Sequence, residues 1–158
     1  MKPTPPGWPR ISSALFYADP AAAIDWLCAA FGFEVRLKVE GQGGRIEHSE
    51  LEFGDGLIMV GGVGPQYADR DSDSPWKQKC ASPTMLDGRV TQNLCLHVDD
   101  VDAHCARARK AGAQICYEPK TTDYGEEYWA DRSYAAIDLE GHIWWFMQRM
   151  RTGKSDGK

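Results

Sequence analysis

Histidines and carboxylates at alternate positions are the first places to look for chemistry in this chain. His48, Glu50 and Glu52 fall on one side of a strand, because alternate strand residues share a face. Such a trio holds a divalent cation when it converges and pairs with bases or water when it does not. A solvated polar face is the expectation here. His97 shares the parity of Asn93 and Cys95 and is expected to line a wall as a hydrogen-bonding group. His142 follows Gly141 and belongs to a hairpin, while His104 is expected on the exposed side of a helix. No HExxH, CxxC, P-loop, EF-hand or GxSxG pattern occurs.

A second concentration lies in TTDYGEEYWADRSYAAIDLEG, residues 121–141. Tyr124, Tyr128, Trp129, Arg132 and Tyr134 combine rings with one fixed cation, the mixture that orients a ligand in a small-molecule pocket. Arg132 has two readings: a bidentate partner for a ligand carboxylate or phosphate, or a surface pair with Asp131 or Glu127. Tyr134 shares its strand face, so if one lines a cavity both do. Glu126 and Glu127 are expected to be solvated. The adjoining DLEGHIWWF, 138–146, reads as a strand end, a glycine turn and a strand carrying Trp144 and Trp145 side by side. Neighbouring indoles on a strand face opposite sides, so the two must meet different environments.

The elements that would hold these residues are written twice. FYADPAAAIDWLCAAFGFEV (16–35) lies on LHVDDVDAHCARARKAGAQI (96–115) without a gap, with Asp19 on Asp99 and Gly32 on Gly112. Each block is a strand, an acidic cap for the free N–H groups of a helix, the helix, and a glycine stop. Ile24, Leu27 and Phe31 form the buried stripe of one helix, Val101, Cys105 and Ala108 that of the other. LEFGDGLIMVGG (51–62) and AIDLEGHIWWFM (136–147) repeat a strand, an acidic-glycine turn and a strand. The predicted strands are 11–17, 34–39, 45–53, 57–61, 92–98, 113–117, 132–138 and 143–148, with helices over 20–31 and 100–111. A single domain over 1–158 is expected, with modules 10–62 and 91–149 joined by a polar connector, 63–90. The connector is expected to pack over an opening with Trp76 as its anchor, or to be a mobile link without a role. The tails 1–9 and 152–158 are expected to be loose.

Composition narrows the partners. A net charge of −5 without a Lys/Arg cluster argues against nucleic acid. No apolar run approaches the roughly 20 residues of a membrane-spanning helix. The first residues, MKPTPPGWPR, lack the apolar core of a secretion signal. Five cysteines without a paired motif fit reduced thiols, so a cytoplasmic location is expected.

YADPAAAIDWLCAAFGFE, VDDVDAHCARARKAGA and YWADRSYAAIDLEGHIWWF together resemble the vicinal oxygen chelate superfamily, in particular its small glyoxalase/bleomycin-resistance-like members. The likeness covers roughly residues 10–149. It implies an α+β fold of two βαβββ modules forming a half-open curved sheet around a cavity, and commonly a homodimer. It also implies where a metal would be held. The four ligand positions fall on Ser12, Met59, Asn93 and Trp145, none of them a strong ligand for such an ion. The same matching turns Trp145 toward the cavity and Trp144 into the core.

The sequence reading is therefore a small-molecule-binding protein that captures an aromatic or flat ligand without metal, cofactor or catalytic residue. Its expected ligand-binding set is Trp145, Met59, Asn93, His97, Trp129, Arg132, Tyr134, Tyr128 and Ser12. The alternative is a lyase, isomerase or dioxygenase-type enzyme with a relocated or absent metal, in which His97, Glu50 or Arg132 would act as base or anchor.

Overall fold

The computed structural model describes residues 1–70 and 75–154, so the connector positions 71–74 and the tail positions 155–158 lie outside the described residues. The chain divides into two compact units, Met1–Arg89 and Val90–Lys158.

In the first unit β1 (Ser13–Tyr17) leads into α1 (Pro20–Phe31), then β2 (Glu34–Glu40), β3 (Ile46–Phe53) and β4 (Gly56–Gly62). The sheet order is β1-β4-β3-β2, with β1 parallel to β4 and the other pairs antiparallel. Asp19 caps α1 by accepting from the Ala22 N–H at 3.0 Å, and Pro20 follows where no N–H is needed. Gly32 ends the helix at φ 83°, a left-handed conformation that a side chain would strain. Ile24, Leu27 and Phe31 are buried, as are Leu15, Tyr17, Leu51, Ile58 and Val60 of the sheet. Each large side chain so buried contributes about 1.5–3 kcal/mol. The strand parity leaves Ala14, Phe16, Met59, Glu50 and His48 on the opposite, open face.

The second unit repeats the plan with β5 (Leu94–His97), α2 (Val101–Lys110), β6 (Gln114–Asp123), β7 (Ala130–Ile137) and β8 (Ile143–Arg151), in the order β5-β8-β7-β6. Asp100 caps α2 by accepting from the Ala103 N–H at 2.9 Å. Val101, Cys105 and Ala108 are buried with Trp144, Phe146 and Ala136.

Several expectations need correction. His104 is buried, because its Nδ1 lies 2.6 Å from the Tyr134 hydroxyl and its ring centroid 4.3 Å from that of Phe146. Strand β6 runs six residues past its predicted end at 117, to Asp123. The polar sequence KTTD there is held by pairing with β7, Thr121 opposite Arg132 and Asp123 opposite Ala130. Arg151 seals the far end, bonded to the Asp123 carboxylate at 2.5 Å and to the Gly125 carbonyl at 3.0 Å. The N-terminal tail is tied down. Arg36 donates to the Gly7 carbonyl, and its guanidinium lies 5.0 Å from the centroid of the Trp8 ring.

Candidate functional sites on the open sheet faces

The paired tryptophans separate as strand geometry requires. Trp144 is fully buried, and its indole N–H donates to Asp138 Oδ2 at 3.0 Å. Asp138 Oδ1 also accepts from the backbone N–H groups of Glu140, Gly141 and His142 at 3.0, 2.9 and 3.0 Å. One carboxylate thus fixes both the turn and the inner indole. Trp145 lies half-buried on the open face, its ring 5.2 Å from that of Tyr117 on β6. The cross-strand row is Cys95, Trp145, Ala135, Tyr117, and beside it run His97, Met147, Ser133 and Lys120. Cys95 and His97 are exposed, as is Asn93 just ahead of β5.

Tyr134 and Arg132 do not join this face. Tyr134 stands opposite Phe146, on the α2 side, and is fully buried. Burial lifts its hydroxyl well above the ordinary value of 10. Arg132 forms a bidentate pair with Asp102 of α2, at 2.6 and 2.7 Å, rather than with Asp131 or Glu127. The hydrogen bond from Arg132 holds the Asp102 carboxyl below its usual range. Their common parity was read correctly and assigned to the wrong side, because Ala135, between two buried neighbours, gives no clue to which face is apolar. Asp131 pairs with Arg149 at 2.6 Å, and the Arg149 guanidinium lies 5.2 Å from the Trp129 ring centroid. Trp129 also meets Tyr124 and Tyr128 at 5.8 and 6.2 Å between rings, so these aromatics form a cluster at the β6–β7 turn.

The open face of the first unit is divided between two short-range systems. At one end the buried Glu50 accepts from His48 Nε2 at 2.9 Å, and Arg36 Nε lies 3.3 Å from its other oxygen. Arg36 also reaches Glu52 at 3.5 Å. Within the His48–Glu50–Glu52 trio both carboxylates are thus paired with one arginine. Among the described residues no group of three His, Cys, Asp or Glu side chains is placed to hold a metal ion.

At the other end is a cavity of about 230 Å³, lined by Ala14, Phe16, His48, Met59, Tyr67 and Trp76 among others. Its outer wall comes from the connector, where residues Pro75–Lys79 form a short helical turn. Trp76 meets Phe16 edge-on at 6.5 Å between ring centroids while remaining 59% exposed. Gly61 and Gly62 at the end of β4 make room for these rings. A Cβ on Gly62 would stand 2.0 Å from the Tyr67 ring, and one on Gly61 3.2 Å from Phe16. Met59 lies in this cavity wall; Phe16, Tyr67 and His48 were not singled out as ligand-facing from sequence. The adjacent glycines inside a strand were the available signal, since glycine there marks a close approach. Ser12, one residue before β1, keeps the parity of Ala14 and is half-buried.

Two kinds of comparison agree on the fold. The family model described as Glyoxalase/Bleomycin resistance protein/Dioxygenase superfamily matches residues 10–146. A Mycobacterium bovis protein, Mb0911c, is 30% identical over 148 residues, spanning 94% of this chain and 88% of that one. The crystal structure of TioX from Micromonospora sp. ML1 superposes with a TM-score of 0.65 at 32% identity, covering 89% of this chain and 98% of that one. TnmS3, an antibiotic binding protein from Streptomyces sp. CB03234, gives a TM-score of 0.58 at 20% identity, over 87% of this chain and 93% of that one. At that identity the likeness is one of fold.

Proposed function

We propose, from the premise that this chain belongs to the Glyoxalase/Bleomycin resistance protein/Dioxygenase superfamily, that it captures a flat aromatic small molecule without using a metal. The observation that carries the reading is the aromatic-walled cavity of the first unit, with Phe16 and Trp76 as walls and Met59 on its floor. Aromatic walls with a few directional polar groups give a ring both buried area and orientation. The Trp145–Tyr117 pair, half-buried on the open face of the second unit, supports it as another ring platform. An antibiotic binding protein built on the same fold adds support.

The proposed ligand-binding residues are Met59 and Ser12 on the first unit and Trp145, Asn93 and His97 on the second, with Trp129 and Tyr128 at the hairpin end. Arg132 and Tyr134 leave the set, since each is committed to α2. The metal-free part of the proposal rests on residue type at Ser12, Met59, Asn93 and Trp145, and on Arg36 already pairing with Glu50 and Glu52. A homodimer in the cytoplasm completes the proposal; among the described residues no helix is long and apolar enough to cross a membrane.

Tryptophan emission titrated with a panel of planar aromatics tests the reading. Saturable quenching, weakened in Trp145→Ala or Trp76→Ala, is the expected result. A flat response across the panel would end it.

A further inference from the structure

The first-unit cavity carries polar groups that a purely apolar binding site has no use for. Lys77 lines it beside Trp76, with its ammonium 5.7 Å from the indole centroid. Among the described residues no carboxylate pairs with it. Glu47, the other charged residue of the lining, lies 3.7 Å from Arg45, which offsets its charge. The cavity therefore offers a ligand one cation held against an aromatic wall.

His48 supplies the second group. His48 Nε2 lies 2.9 Å from one oxygen of the buried Glu50, whose other oxygen faces Arg36, so the tautomer that fits this pair carries its hydrogen on Nε2. In the neutral imidazole this leaves Nδ1 as an acceptor, and no protein donor meets it among the described residues. A ring nitrogen oriented by a buried carboxylate is a directional acceptor, suited to a hydroxyl hydrogen.

We propose that this cavity selects an aromatic hydroxy acid: a flat ring against the wall that Phe16 and Trp76 form together, its carboxylate at Lys77, its hydroxyl donating to His48. The inference rests on the small-molecule reading above and deepens it by naming the ligand class. A cavity of about 230 Å³ suits one or two fused rings.

Hydroxynaphthoate, naphthoate and neutral naphthamide, each titrated calorimetrically into the intact protein, separate the contributions. Hydroxynaphthoate is expected to bind tightest and naphthamide weakest, with roughly tenfold between the charged and neutral rings, the scale of one charge-assisted hydrogen bond. Lys77→Gln is expected to abolish the preference for the carboxylate, bringing naphthoate down to the affinity of naphthamide. His48→Leu is expected to erase only the advantage of the hydroxyl; circular dichroism confirms that both variants fold. Equal affinity for all three compounds, or a carboxylate preference that survives Lys77→Gln, would overturn the hydroxy-acid assignment and leave capture of flat ligands standing. No binding by any of the three, with Trp76→Ala indistinguishable from the parent, would overturn both.

Discussion

Asp138 satisfies four donors with one side chain, three backbone N–H groups of the turn and the Trp144 indole. Asp138→Asn keeps an oxygen for the turn but sets an amide N–H against the indole N–H. The expected cost is about 1–3 kcal/mol, that of leaving a buried donor unmet. It is read as a lower Tm, with the largest near-ultraviolet change in the tryptophan region. Tyr134 makes a second prediction at this scale. Burial, then the neighbouring Cys105, raises its pKa above the ordinary 10. In the unfolded chain the hydroxyl ionises near 10 while the folded chain keeps it protonated. The stability it contributes is therefore complete below about pH 10 and declines as pH rises beyond that value. Tyr134→Phe should lower stability at neutral pH, by removing the bond to His104, and flatten the fall above pH 10 in denaturant titrations. The opposite orientations of Trp144 and Trp145 were legible from strand parity alone. Arg132 was not, since its partner Asp102 lies 30 residues away on α2 and no local pattern points there.

Among the elements, α1 was predicted at its observed bounds because both of its ends carry their own chemistry, the Asp19 cap and the Gly32 stop. The β6–β7 hairpin was cut short in the sequence reading because its strands are polar where they leave the core. Polar residues read as loop until the ladder and the Arg151 clamp are seen. The end of β4 gives the prediction proper to this scale. Gly62→Ala places a methyl inside the Tyr67 ring, whose hydroxyl accepts from the Ile46 N–H at 3.3 Å. Overpacking of this kind costs about 1–3 kcal/mol. The turn Pro65–Arg70 must move, and the aromatic wall with it. The expected outcome is a lower Tm together with weakened quenching by flat ligands. Unchanged ligand affinity would mean that Tyr67 does not shape the cavity.

For the whole molecule, duplication was the most legible feature, because two copies of one pattern support each other against chance. The superfamily was read from the resemblance of three motifs along the chain, and residues 10–146 match the family model. What the sequence could not supply was the make-up of the first unit's open face. That depends on side chains brought from distant segments, Trp76 from the connector and Arg36 with Trp8 beside it. Elemental analysis of protein purified without chelator is expected to find no stoichiometric transition metal; one ion per chain would contradict the assignment.

Arg36 has a consequence for anyone wishing to turn the Glu50 and Glu52 carboxylates into an ion site. Glu50 and Glu52 already have a resident counter-charge, held in place by the Gly7 carbonyl and the Trp8 ring. An engineer would have to evict that tenant first, and the leading segment of the chain would lose its mooring in the process.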